Sequence, residues 1–272
     1  MFILFVNDNL TFKYFSLKAY IKEFKTLKPY YFVLPFIILA SYSLYHFASP
    51  EIATLYGKED GFFEWLTATC LLGSAIFFFL SFKKYRNFFF LLLALVMFFG
   101  AGEEISWGQR LLGYSTPESV KQLNVQGEFT IHNLEIFNGK QLNKPNRSGI
   151  DRLLEIDLLF KIFIFSFGIL LPLAVWHIKP VSKFVQKIRL PVPPVSIGIF
   201  FFVAWFGRWV VLHFLQKPLP GEDPKPFYIM LNAASEYYEF QVAVVLFVIS
   251  LFFYKNSFGN FAGRDIKQVM SS

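Results

Sequence analysis

The sequence predicts an all-α fold, a polytopic membrane bundle of about six transmembrane helices with both termini in the cytoplasm. Three observations lead there. Hydrophobic residues fill 55% of the 272 positions and charged residues only 17%, where a soluble domain carries about 25% charged. The apolar residues come in blocks rather than in alternation. Lys and Arg gather in every second connection. Blocks of roughly 17–25 apolar residues are long enough to cross a hydrocarbon core of about 30 Å. A backbone in lipid must satisfy its own hydrogen bonds, so these blocks read as helices.

Residues 1–29 form a basic segment with Lys13, Lys18, Lys22, Lys25 and Lys28. Its opening apolar run stops at Asn7 and Asp8, too early for the core of a cleaved signal. The membrane domain, 30–254, holds spans expected at 30–48, 61–82, 88–104, 156–176, 195–215 and 235–254. Pro35 and Pro172 fall inside spans and are expected to bend them, which is tolerated where a neighbour covers the freed carbonyl. The long connection 105–155 starts a short helix at Thr116-Pro117-Glu118, a capping residue followed by Pro and an acid in the first turn. Asn138-Gly139 marks a turn. The mixed stretch 129–137 either lies on the membrane surface or dips back among the helices. Residues 255–272 form a tail.

Charge sets the orientation. The N-terminal segment, Lys83, Lys84 and Arg86, then Lys179, Lys183, Lys187 and Arg189, and the tail with Lys255, Arg264 and Lys267 fall on one side. Only Asp8, Glu23 and Asp265 accompany them, and the rest of the 19 acids lie across the membrane. Positive loops stay inside, so this side is cytoplasmic. The net charge of +7 is explained this way and needs no nucleic acid. Trp65, Trp107 and Trp176 stand at span ends, as aromatic belts do. The single cysteine, Cys70, excludes a disulfide within the chain and a cysteine-based metal site.

The chemistry gathers at one depth. Span three is apolar from Phe88 to Gly102, roughly 15 residues or about 22 Å, so Glu103 and Glu104 sit at its outer boundary. The same reasoning places Glu236 and Glu239 at the outer end of span six, three apart and on one helix face. Glu64, Asp157, Lys161, Arg208, His213 and His46 join them on the outer side, while the inner halves are nearly bare. Six carboxylates against Lys161 and Arg208 demand protons, a metal ion or a cationic ligand. Glu103, Glu104 and His213 are the candidate catalytic groups. Glu104, His132, His213, Glu236 and Glu239 are the candidate ligands of a divalent metal such as zinc. Arg208, Arg110 and Trp107 are the candidate contacts to a substrate, lipid-like or close to the membrane. The plainer reading of each acid is a solvated helix end, and of Arg208 a structural partner for a span-three or span-six Glu.

The run Gly100-Ala101-Gly102-Glu103-Glu104-Ile105-Ser106-Trp107-Gly108-Gln109-Arg110, with Thr116-Pro117-Glu118, Asn124, Gln126-Gly127-Glu128 and His132-Asn133, resembles a family of bacterial multi-pass membrane proteins. That resemblance covers mainly 98–135, implies a bacterial inner-membrane protein and brings no activity with it. Glu103-Glu104 also resembles the paired glutamates of the CAAX-protease and bacteriocin-processing (Abi) family. There the arginine follows three residues after the pair, whereas Arg110 comes later, so the likeness is one of chemistry alone. Three functions compete: a membrane-embedded hydrolase open to the outer side, a cation- or proton-coupled transporter, and a non-catalytic subunit docking a partner through 105–155. A transporter needs polar groups near the midplane, where this chain has Phe77-Phe78-Phe79 and Phe200-Phe201-Phe202.

Overall fold

A computed structural model describes residues 17–47, 50–57, 61–138, 149–214, 223 and 225–255. The signal reading of the first residues, the tail and Gly139 lie outside them. The described chain is helical, with one isolated bridge between Asn124 and Leu134. In chain order the main helices are α1 (Leu17–Phe47), α2 (Pro50–Tyr56), α3 (Phe62–Tyr85), α4 (Phe88–Glu104), α5 (Ile156–His177), α6 (Lys179–Ile188), α7 (Val195–Phe214) and α8 (Lys225–Lys255).

Helices α3, α5, α7 and α8 are long and apolar enough to cross a membrane. The expected spans 61–82, 156–176 and 195–215 match three of them within a few residues. The fourth, expected over 235–254, begins earlier, at Lys225. The helix runs on past the apolar block because its first turns need only backbone hydrogen bonds, not lipid. The spans expected at 30–48 and 88–104 are helical but shorter in this respect. The apolar stretch of α1 is Pro29–Leu44 and α4 has 17 residues. The later part of the basic N-terminal segment is helix continuous with that stretch.

Helix α8 is the centre of the bundle, packed on α1, α3 and α7, and α3 lies between α8 and α4. Thr67, Leu71, Ser74, Phe78 and Ser81 are buried along α3. Their alternating four- and three-residue spacing makes one seam. The hydroxyls of Thr67, Ser74 and Ser81 donate to the carbonyls of Phe63, Cys70 and Phe77. They therefore pack as small side chains with no unpaired group. Phe63 stacks on Tyr237 with centroids 4.1 Å apart, and Gly73 makes room for the Phe247 ring, which a Cβ would meet at 2.7 Å.

Pro172 lies inside α5, where the sequence predicts a bend, and an irregular turn stands beside it. A π-helical turn, Ser166–Leu170, precedes it. Proline lacks the N–H that the Gly168 carbonyl would accept. That carbonyl lies directly against Gly198 of α7, where a Cβ would come to 1.8 Å of it.

One end of the bundle is basic. Asn87 donates to the Arg189 carbonyl at 2.6 Å, and Lys84 to that of Tyr254 at 3.0 Å. The α3–α4 turn, the end of α6 and the end of α8 thus meet. The opposite end carries Glu64, Glu103, Glu104, Glu236 and Glu239.

Candidate functional site

At the carboxylate end the chain leaves α4 through a left-handed turn. Ser106, Trp107 and Gly108 have φ of 46°, 54° and 82°, a conformation that costs non-glycine residues about 1–3 kcal/mol each. The turn folds the Trp107 ring back over Gly102, where any Cβ would meet it at 2.8 Å. The indole N–H then donates to Glu103 Oε1 at 2.6 Å. Tyr114 Oη donates to the carbonyls of Ser106 and Trp107, both at 3.3 Å.

The following loop is a knot built on Asn124, itself 3% exposed. Its side chain donates to the Thr130 carbonyl at 2.9 Å and accepts from the N–H groups of Gln126 and Glu128. Val125 N–H to Asn133 and Glu135 N–H to Leu123, both 2.8 Å, close the base. The short helix expected over 117–124 is present as Glu118–Lys121. The stretch 129–137 folds back onto the bundle. Glu103 Oε2 accepts the N–H groups of Ile131 and His132, each at 2.7 Å, and the His132 ring at Nδ1, 3.1 Å. With the indole on Oε1, the buried Glu103 carboxylate is fully engaged in holding loop to helix.

Beneath that loop is a cavity of about 70 Å³, lined by Glu64, Glu103, Glu104, Gln126, Glu128, His132, Asn133, Glu236 and Glu239. That is space for a few waters or an ion. Glu104, Glu236 and Glu239 each offer an oxygen within 4.8 Å of the others. The set is all oxygen, which suits magnesium, manganese or calcium better than zinc. His132 lines the same cavity. Glu103 occupies its Nδ1, so Nε2 is the nitrogen left to face the contents.

The structure thus gathers Glu103, Glu104, His132, Glu236 and Glu239, as the sequence led us to expect, and adds Glu64. It leaves His213 out. That residue lies exposed on α7 with its ring stacked on Trp209, centroids 5.4 Å apart. Arg208 and His213 are five residues apart, about 140° around a helix, so they cannot share a face. Trp107 engages Glu103, and the side chains of Arg110 and His46 lie outside the described residues. Asp157 is exposed and paired with Lys161 one turn on, and it is not among the residues lining the cavity. Arg208 has no described carboxylate within salt-bridge distance; its Nη2 donates to Ser235 Oγ at 2.9 Å. Gln126, Glu128 and Asn133 also line the cavity, and their signal in the sequence is the Gln126-Gly127-Glu128 triplet and the His132-Asn133 pair.

No protein family, curated protein or solved structure matches the chain.

Proposed function

We propose that this is an integral membrane protein, of the bacterial inner membrane, whose carboxylate cavity holds a divalent cation and serves as a hydrolase site for a lipid-like or membrane-near substrate. The observation that carries the reading is the convergence of Glu104, Glu236 and Glu239 from two helices into one cavity. Oxygens around one bound ion lie roughly 3–5 Å apart, a spacing compatible with these three. Such an ion supplies Lewis acidity toward a carbonyl or phosphoryl oxygen. The chain's own part is to place Glu104 on rigid α4 and Glu236 and Glu239 on rigid α8. His132, held by Glu103, takes a proton from water through Nε2. The loop over the cavity limits access of bulk water.

Transport is the weaker reading. Leu71, Phe78, Phe90, Met97, Leu246 and Ile249 fill the bundle toward the basic end of the cavity helices and are all buried, so the cavity has an apolar floor. In the test, purified full-length protein is stripped with chelator and titrated calorimetrically with Mn²⁺. One ion should bind, and Glu104→Gln should weaken it about tenfold or more. Failure to bind Mn²⁺, Mg²⁺, Ca²⁺ or Zn²⁺ removes the cation site. Binding without hydrolysis of lipid esters, phospholipids or peptides keeps the site and removes the hydrolase.

A further inference from the structure

Arg208 lies about 9 Å along α7 from its last residue, between Ala204 and Val211, which are buried. A guanidinium packed between buried neighbours is costly unless its polar groups are paired. Two contacts engage it: the Ser235 hydroxyl at 2.9 Å, and the Tyr238 ring, with Cζ 5.7 Å from the centroid. No described carboxylate comes within 4.0 Å. Yet Glu236 and Glu239 are the next residues along α8. The helix turns Ser235 and Tyr238 toward Arg208 and carries Glu236 and Glu239 about 100° round to the cavity. Glu236 and Glu239 thus do not pair directly with Arg208.

Two donors at this spot are buried and unpartnered: Arg208 Nε and the Tyr238 hydroxyl, on a residue only 4% exposed. One turn deeper, Gln241 donates to Ser41 Oγ at 2.6 Å and closes the floor. Trp205 and Trp209, both exposed, flank Arg208 along α7. Aromatic residues of this kind mark headgroup depth in a bilayer. Positive charge beside a buried N–H and a buried O–H donor, both unpartnered, is the complement of a phosphate oxyanion.

We propose that Arg208, Ser235 and Tyr238 form an anion site, separate from the carboxylate cavity, that takes a phosphate group carried by a phospholipid headgroup or free in solution. The guanidinium supplies the charge through Nε, and the Tyr238 hydroxyl supplies a second donor on the same oxyanion. The site does not depend on the cation reading, because its test measures lipid binding and not hydrolysis.

The experiment uses full-length protein in detergent micelles, titrated with phosphatidylglycerol and read by native mass spectrometry. Phosphatidylglycerol should bind, while diacylglycerol, which lacks the phosphate, should not. Arg208→Gln should weaken binding about tenfold, and Tyr238→Phe, which removes one hydroxyl and keeps the ring, severalfold. Competition by millimolar inorganic phosphate identifies a soluble source, and no competition identifies the headgroup; both outcomes keep the site. Binding of diacylglycerol as tight as that of phosphatidylglycerol overturns the proposal. So does undiminished phosphatidylglycerol binding by Tyr238→Phe and Arg208→Gln, and Tyr238→Phe alone decides if Arg208→Gln does not fold.

Discussion

Glu103 and Glu104 are neighbours in sequence with the same side chain and opposite tasks. A helix turns them about 100° apart. One faces the loop that returns over the bundle and the other faces the cavity. Glu103 accepts hydrogen bonds from Trp107, Ile131 and His132, all from donors. Replacing it with glutamine puts an amide NH₂ against one set of them, in a residue 6% exposed. Glu103→Gln should therefore lower the thermal midpoint in detergent, with a cost of about 2–4 kcal/mol. Glu104→Gln removes one charge from a crowd of carboxylates and should leave the metal-free midpoint unchanged or raised, because like charges there repel. A midpoint loss for Glu104→Gln as large as that for Glu103→Gln, in chelator, would contradict this division. The pair was visible in the sequence, but its division was not. Two of the donors to Glu103, Ile131 and His132, lie 28 and 29 residues away, and no local pattern announces a contact that the fold alone creates.

At the scale of elements, hydropathy gave the spans and missed their joints. Blocks of apolar residues report where lipid is, so α3, α5 and α7 were legible to within a few residues. Helix α8 was read short because Glu236 and Glu239 ended the apolar block, whereas the hydrogen-bonded helix continues to Lys225. Loop 105–155 was legible as a loop with a short helix, and its return to the bundle was one of two outcomes left open. The joint at Pro172 was half legible. Proline foretold a bend, but the closeness of Gly198 to the Gly168 carbonyl depends on how α5 and α7 meet. A Cβ at 198 falls 1.8 Å from that oxygen, and no rotamer change moves a Cβ or a backbone carbonyl. Gly198→Ala should force the helices apart and lower stability by about 1–3 kcal/mol, a typical overpacking cost. Thermal unfolding of the purified variant measures it. An unchanged midpoint would mean that α5 and α7 do not cross at these glycines.

For the whole molecule, the central question is which end faces which compartment. The bundle sorts its charges. Lys83, Lys84, Arg86, Lys179, Lys183, Lys187, Arg189 and Lys255 lie at or next to one end. The contacts of Asn87 with Arg189 and of Lys84 with Tyr254 hold the helix ends there together. The carboxylate cavity and its loop lie at the other. Short basic connections are retained in the cytoplasm during insertion, so the cavity should open to the outside. The two helices that fall short, α1 and α4, are each followed by a return of the chain to the opposite end, so the six-span expectation requires both of them to cross as well. Reporter fusions at 85, 130, 183, 222 and 262 should read inside, outside, inside, outside and inside. The fusion at 130 decides most, because it lies in the loop that covers the cavity. An inside signal there would turn the cavity toward the cytoplasm, and the site would then meet cytoplasmic substrates and metals in place of those outside. A split result, with 85 and 183 inside but 222 also inside, would instead mean that α7 or α8 does not cross, and the cavity would lose the membrane placement of Glu236 and Glu239.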